Sequence, residues 1–219
     1  MTLRGKMLFM LLAMVAAAAA PAQADSWYAG AGLGVGHAAD ADSNVFSSIA
    51  MRTNGAVPVA GSYDSSHGLF QLFGGFRFDR YIAVEAGYVN LGRYTLNSIS
   101  SQGAGFVGMS ETDRVDALYV AAVGTYPVSR IVSVYGKLGL AHSRDKETCF
   151  VTGSVCPSAS DTADEPMIGV GAEFPFTPVP WHPHWALRVE YDIYPSVGGS
   201  AEYTSGTFNL VTAEGLYEF

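Results

Sequence analysis

Beyond residue 24 the chain has no run of roughly 18 apolar residues, so no helix there is long and greasy enough to cross a bilayer. Charge is scarce as well, at 15% of residues, and positive charge is scarcer still. The whole sequence holds 12 Lys and Arg against 20 Asp and Glu; setting aside Arg4 and Lys6 leaves ten against 20, a formal charge of −10. Phosphate backbones need a basic surface, so nucleic acid is excluded as a partner. With only two cysteines the chain is no disulfide-dense scaffold, and with no histidine close by they make a poor zinc site. What the sequence does have is 49% hydrophobic residues and 25 glycines, distributed in short alternating segments.

The first 24 residues read as an export leader. Arg4 and Lys6 form a basic start, Met7–Ala20 is unbroken apolar sequence, and Ala22-Gln23-Ala24 supplies small-x-small cleavage chemistry. The run is too short for a retained anchor and meets Pro21, and no cysteine marks a lipoprotein cleavage site. Mature sequence is expected to span residues 25–219 as a single domain. An exported, apolar chain without a spanning helix points to a closed barrel of strands in the outer membrane, with a secreted β-sandwich as the competing reading.

The alternation predicts eight strands. Trp27–Gly36 sets Trp27, Ala29, Ala31, Leu33 and Val35 against Tyr28 and four glycines. Those glycines never form G-x-G-x-x-G before a helix, so they read as room for large side chains opposite rather than as a nucleotide site. His67–Phe78 and Tyr81–Leu91 form a hairpin around Asp79-Arg80. Arg114–Thr125 is apolar throughout, and its two faces cannot be told apart. Ile131–Ser143, Asp164–Phe176, Trp185–Tyr194 and Phe208–Phe219 alternate again. The connections 37–66, 92–112, 144–163 and 195–206 are long and polar, and the others are short. The expected fold is all-β: an eight-stranded antiparallel up-and-down transmembrane β-barrel with four long external loops and short periplasmic turns. Trp27, Phe76, Phe78, Phe174, Phe176, Trp181 and Trp185, with Tyr126, Tyr217 and Phe219, collect at the short-turn end as a periplasmic aromatic girdle.

By parity Glu85, Lys137, Glu173, Arg188 and Glu190 face inward. An eight-stranded barrel is filled by side chains, and buried charges must pair, so an interior ionic network is expected with Arg188 and Lys137 bridging the carboxylates. A catalytic carboxylate pair is the weaker alternative, since a filled lumen leaves no cleft. Export to an oxidising compartment predicts a disulfide between Cys149 and Cys156, closing a small external loop. Arg93, Arg114, Arg144 and Lys146 fall near the external rim, within reach of lipopolysaccharide phosphates.

The stretches WYAGAGLG, GGFRFDRYIAVEAGYVNLG, VYGKLGLAHSR, GVGAEFPF and ALRVEYDIY resemble the OmpA-like eight-stranded outer-membrane barrels, across essentially all of residues 25–219. The resemblance is to the transmembrane barrel alone, without the peptidoglycan-binding domain of larger members. It implies that the interior network acts as a plug, and that Tyr217 and Phe219 form the assembly signal read by the barrel-assembly machinery. It also implies outer-membrane lipid and lipopolysaccharide as surroundings. The resemblance also extends to eight-stranded outer-membrane proteins that are enzymes acting on lipid A with a His/Ser pair. Here His142 and Ser143 are adjacent and face apart, while Ser65 and His67, beside Asp64, sit at a loop edge. No catalytic, cofactor or metal set emerges. The function expected is a non-enzymatic envelope barrel with displayed loops. Two alternatives remain: an adhesin or receptor binding host or phage molecules, and a lipocalin-like binder with its faces inverted.

Overall fold

The computed structural model describes residues 26–39, 57–64, 66–102, 105–151, 154–155, 159–176, 184–197 and 206–219. Ten strands lie in one sheet: β1 (Ser26–Ala39), β2 (Val57–Asp64), β3 (Ser66–Arg77), β4 (Ile82–Gln102), β5 (Gly105–Pro127), β6 (Ser133–Val151), β7 (Ser154–Val155), β8 (Ala159–Phe176), β9 (His184–Val197) and β10 (Gly206–Glu218). Eight of them, β1, β3, β4, β5, β6, β8, β9 and β10, pair in that order. The β1–β10 pairing closes the ring, and every pairing is antiparallel. Closure leaves no open edge, which is what a sheet in lipid requires.

Two tight turns join strands at one end. In the first, Asp79 Oδ1 accepts the backbone N–H groups of Tyr81 (2.6 Å) and Ile82 (2.8 Å). In the second, the N–H groups of Val128 and Ser129 both donate to the Val132 carbonyl at 3.0 Å. At the other end the strands run on far beyond the apolar alternation. The segment 92–112, expected as a loop, is largely strand, since β4 continues to Gln102 and β5 starts at Gly105. The expected third loop, 144–163, is likewise occupied by the ends of β6 and β8 and by β7, and the first loop contains β2. The fourth, 195–206, gives up its two ends to β9 and β10. Their outer face is exposed at Asn97, Ile99 and Phe106, while their inner face is buried at Ser98, Ser100, Met109, Glu111 and Cys149. Polar and apolar residues occur on both, so backbone pairing holds these extensions without an apolar/polar alternation. Ser110 Oγ donating to Asn97 Oδ1 (2.9 Å) is one such polar cross-strand contact.

β2 pairs with the outer part of β4 (Asp64 opposite Thr95) and β3 with its inner part (Phe70 opposite Asn90), so β2 continues the line of β3. The β4–β5 register slips between Asn90 and Gly92. Gly92 has φ of 102°, a left-handed value that a side chain would resist.

Outward positions are apolar across a belt. Leu33, Leu72, Leu118, Leu138, Val170, Leu187 and Val211 are all exposed. The inward positions form the core. Four aromatic rings there each lie on a glycine directly across the strand pair: Tyr28 on Gly75, Phe73 on Gly30, Tyr119 on Gly87 and Tyr135 on Gly171. A methyl group at any of these glycines would overlap the ring. Gly75→Ala is therefore expected to lower unfolding free energy by about 1–3 kcal/mol, read by chaotrope titration of the lipid-reconstituted protein. Unchanged stability would mean that Tyr28 swings aside freely.

Candidate functional site: the charged lumen

The eight-strand ring delivers inward side chains from every wall to one narrow axis. Near its centre Arg188 (β9) places Nη1 2.9 Å from Glu85 (β4) and Nε 2.9 Å from Glu173 (β8). Lys137 (β6) places Nζ 2.6 Å from both Glu85 and Glu190. Phenols saturate the remaining lone pairs: Tyr28 (3.0 Å) and Tyr119 (2.9 Å) donate to Glu85, and Tyr135 (2.5 Å) donates to Glu190. The cations also face aromatic rings. Arg188 lies 4.9–5.4 Å from the centroids of Tyr28, Phe73 and Tyr135, and Lys137 lies 5.5–5.6 Å from those of Tyr119 and Phe73.

The series extends toward the short-turn end. Arg77 (β3) lies 3.4 Å from Glu173 and 3.8 Å from Glu218, and Ser26 Oγ donates to Glu218. Glu218, Arg77, Glu173, Arg188, Glu85, Lys137 and Glu190 thus alternate in sign along the axis. All five residues that parity placed inside, Glu85, Lys137, Glu173, Arg188 and Glu190, lie together in this series. Arg77 and Glu218 were not expected in it; both share the inward parity and sit at strand ends. In the upper lumen acceptors outnumber donors. Gln71 Nε2 and Thr212 Oγ1 both donate to Glu214, whereas, among the described residues, one oxygen of Asp192 and the Tyr194 hydroxyl are buried without a hydrogen-bond partner.

The aromatic girdle forms two stacks. Phe78, Phe76 and Trp27 follow one another with centroids 5.1 and 5.0 Å apart, and Trp185, Tyr217 and Phe219 at 5.0 and 5.7 Å. Phe174 is exposed on β8 at the same end. Phe176 closes β8, and Trp181 lies outside the described residues. Tyr217 and Phe219, the expected assembly signal, lie beside Trp27, whose carbonyl accepts the Phe219 N–H at 3.0 Å.

The cysteine pair was expected in a loop. Cys149 instead lies in β6, buried on its inner face, and Cys156 lies outside the described residues. We propose a bridge between them: alkylation without reductant should leave the mass unchanged, and labelling of both thiols would refute it. Of the hydrolase-like residues, His142 Nδ1 meets Asp164 Oδ1 at 2.7 Å, exposed on the outer wall, while Ser143 faces the lumen. Ser65 lies outside the described residues. Among those residues no group of three metal-ligating side chains comes together.

A closed antiparallel ring with an apolar outer belt, aromatic stacks at one rim and its charges locked inside defines an outer-membrane β-barrel. The chain belongs to the outer membrane protein beta-barrel domain family, which matches residues 7–212. It is 30% identical over 127 residues to outer membrane protein A of Yersinia pseudotuberculosis, covering 58% of this chain and 32% of that protein. It is 24% identical over 149 residues to outer membrane protein A of Serratia marcescens, covering 67% and 38% respectively. The aligned part is thus about a third of the length of these relatives. Neisserial surface protein A shares the fold, with a TM-score of 0.50, 14% identity, and coverage of 90% of this chain and 100% of that one.

Proposed function

We propose that the protein is a non-enzymatic scaffold of the outer membrane, sealed along its axis and contributing to envelope integrity. The observation that carries this reading is the seven-member series of alternating charges from Glu218 to Glu190, drawn from six strands. Each partner is hydrogen-bonded or stacked, and separating any pair strands a charge in a site that water enters poorly. Such a series closes the lumen to ions. In planar bilayers the purified full chain should give little or no conductance, and large stable pores would overturn the plug. Tyr217 and Phe219 serve in this reading as the contact for the barrel-assembly machinery, and a leader covering residues 1–24 exports the chain.

The second reading, an adhesin or receptor, draws on a separate observation. The strand extensions carry exposed apolar side chains well above the belt, namely Ile99, Phe106 and Phe150. Ordinary solvated strands gain nothing from them, whereas a host or phage surface would cover them. Replacing Ile99, Phe106 and Phe150 together with serine, which leaves the strands in place, separates the two readings. The scaffold alone keeps its envelope role, and a receptor loses its binding while the barrel still folds.

A further inference from the structure

We infer that the upper lumen binds one hydrated divalent cation of the magnesium type, held between the carboxylates of Asp192 and Glu214. Among the described residues seven carboxylates are buried, but only two basic side chains, Lys137 and Arg188. Both cations are already committed: Arg188 to Glu85 and Glu173, Lys137 to Glu85 and Glu190. Asp192 and Glu214 are at most 2% exposed, yet among the described residues no ion pair reaches either. A buried carboxylate without a counter-charge is strongly destabilising, so a positive charge belongs between them.

The register brings the two together. Glu190 and Asp192 follow each other on the inner face of β9, and Glu190 is directly opposite Thr212 of β10. Glu214 bends toward that pair, since its Oε1 accepts from Thr212 Oγ1 at 2.8 Å. Gly32 of β1 stands opposite both Glu214 and Gln71, and having no side chain it lets Gln71 Nε2 donate to Glu214 across it. Asp192 feels the charge of Glu214, and both feel those of Glu190 and Lys137. Four buried oxygens here have no hydrogen-bond partner among the described residues: Asp192 Oδ1, Glu214 Oε2, Gln71 Oε1 and the Tyr194 hydroxyl. Three of these can only accept, so they cannot satisfy one another. A cation with its water shell supplies both the missing charge and the missing donors. The same oxygens choose the ion. Among the described residues no three His, Cys, Asp or Glu side chains converge, which argues against the close protein cage of a calcium or zinc site. Magnesium dehydrates reluctantly and is commonly held by one or two carboxylates, with water in its remaining positions. Its double charge balances Asp192 and Glu214, and its waters reach Gln71 and Tyr194. The site goes beyond the scaffold reading and needs the closed ring alone, not the seal.

The full chain is denatured free of metal, then refolded in neutral detergent with magnesium chloride or with choline chloride at equal ionic strength. Neutral detergent carries no phosphate to hold the ion. After dialysis, retained magnesium is measured by elemental mass spectrometry and stability by chaotrope titration. The unsubstituted protein should retain about one magnesium per barrel and unfold at a higher chaotrope concentration with it than without. Asp192→Asn/Glu214→Gln should lower magnesium affinity at least roughly tenfold, the smaller loss seen when a metal site is deprived of even an outer-shell partner. Its unfolding should no longer respond to the ion. Heat-modifiable gel mobility reports folding separately, and if the double variant fails to fold, Asp192→Asn alone should show a partial loss. Equal retention by variant and parent, or equal stabilisation by potassium, would overturn the site. So would a parent that retains no magnesium, which would mean that protons neutralise the carboxylates. Bilayer conductance reads the seal independently, so neither result decides the other.

Discussion

Replacing Arg188 with Met is expected to cost the barrel about 3–5 kcal/mol, the range for breaking a buried ion pair by removing one partner. The guanidinium bridges Glu85 and Glu173 at 2.9 Å each and is almost fully buried among the Tyr28, Phe73 and Tyr135 rings. Methionine fills part of the volume but satisfies neither carboxylate. Glu85 would keep Lys137 and two phenols, whereas Glu173 would keep only Arg77 at 3.4 Å. Adding Glu173→Gln to Arg188→Met should therefore restore part of the loss, because the stranded charge disappears with it. Guanidinium titration of the lipid-reconstituted protein, with gel mobility as the fold check, reads both variants. A barrel indifferent to Arg188→Met would mean that water already solvates the centre, and the sealed axis would have to be abandoned.

The belt was legible because lipid imposes a simple rule: every second residue must be apolar. Trp185, Leu187, Val189 and Tyr191 against Arg188, Glu190 and Asp192 admit a single assignment of faces. β5 obeyed the rule without revealing itself, since its lumen positions Ala117, Ala121 and Val123 are apolar too. Only the pairing of Tyr119 with Gly87 tells which side is inside. Parity placed the five central charges on the inner face, and the need to pair set Arg188 and Lys137 against the carboxylates, but neither says which carboxylate each meets. Glu85 on β4 meets Arg188 on β9 across the lumen, a contact set by closure of the ring rather than by neighbouring register. The strand extensions escaped for the opposite reason: polar residues occupy both faces, buried at Ser98, Ser100 and Glu111 and exposed at Asn97, so no apolar/polar alternation marks them. The placing of Arg93 opposite Arg114 was hidden as well, because one slipped register at Gly92 decides it.

Val189→Arg tests the orientation on which everything above depends, and should cost about 2–4 kcal/mol, the range for arginine on the lipid face at the bilayer midplane. Val189 is half exposed and lies midway along the outward row between Trp185 and Ile193. Its cross-strand neighbours are Ala213 and Ala172, which offer an arginine neither charge nor hydrogen bond. Ile193→Arg, near the outer rim of the belt, should cost only about 0–1 kcal/mol because the head reaches the interface. The depth dependence is the discriminating signature, since both sites begin as apolar residues on the same face of β9. Measured by chaotrope titration in phosphatidylcholine vesicles, a large penalty at 189 and a small one at 193 is the expected pair. Two small and equal penalties would mean that the outer wall meets water, in which case the apolar belt would be a soluble surface awaiting a partner and not a membrane contact.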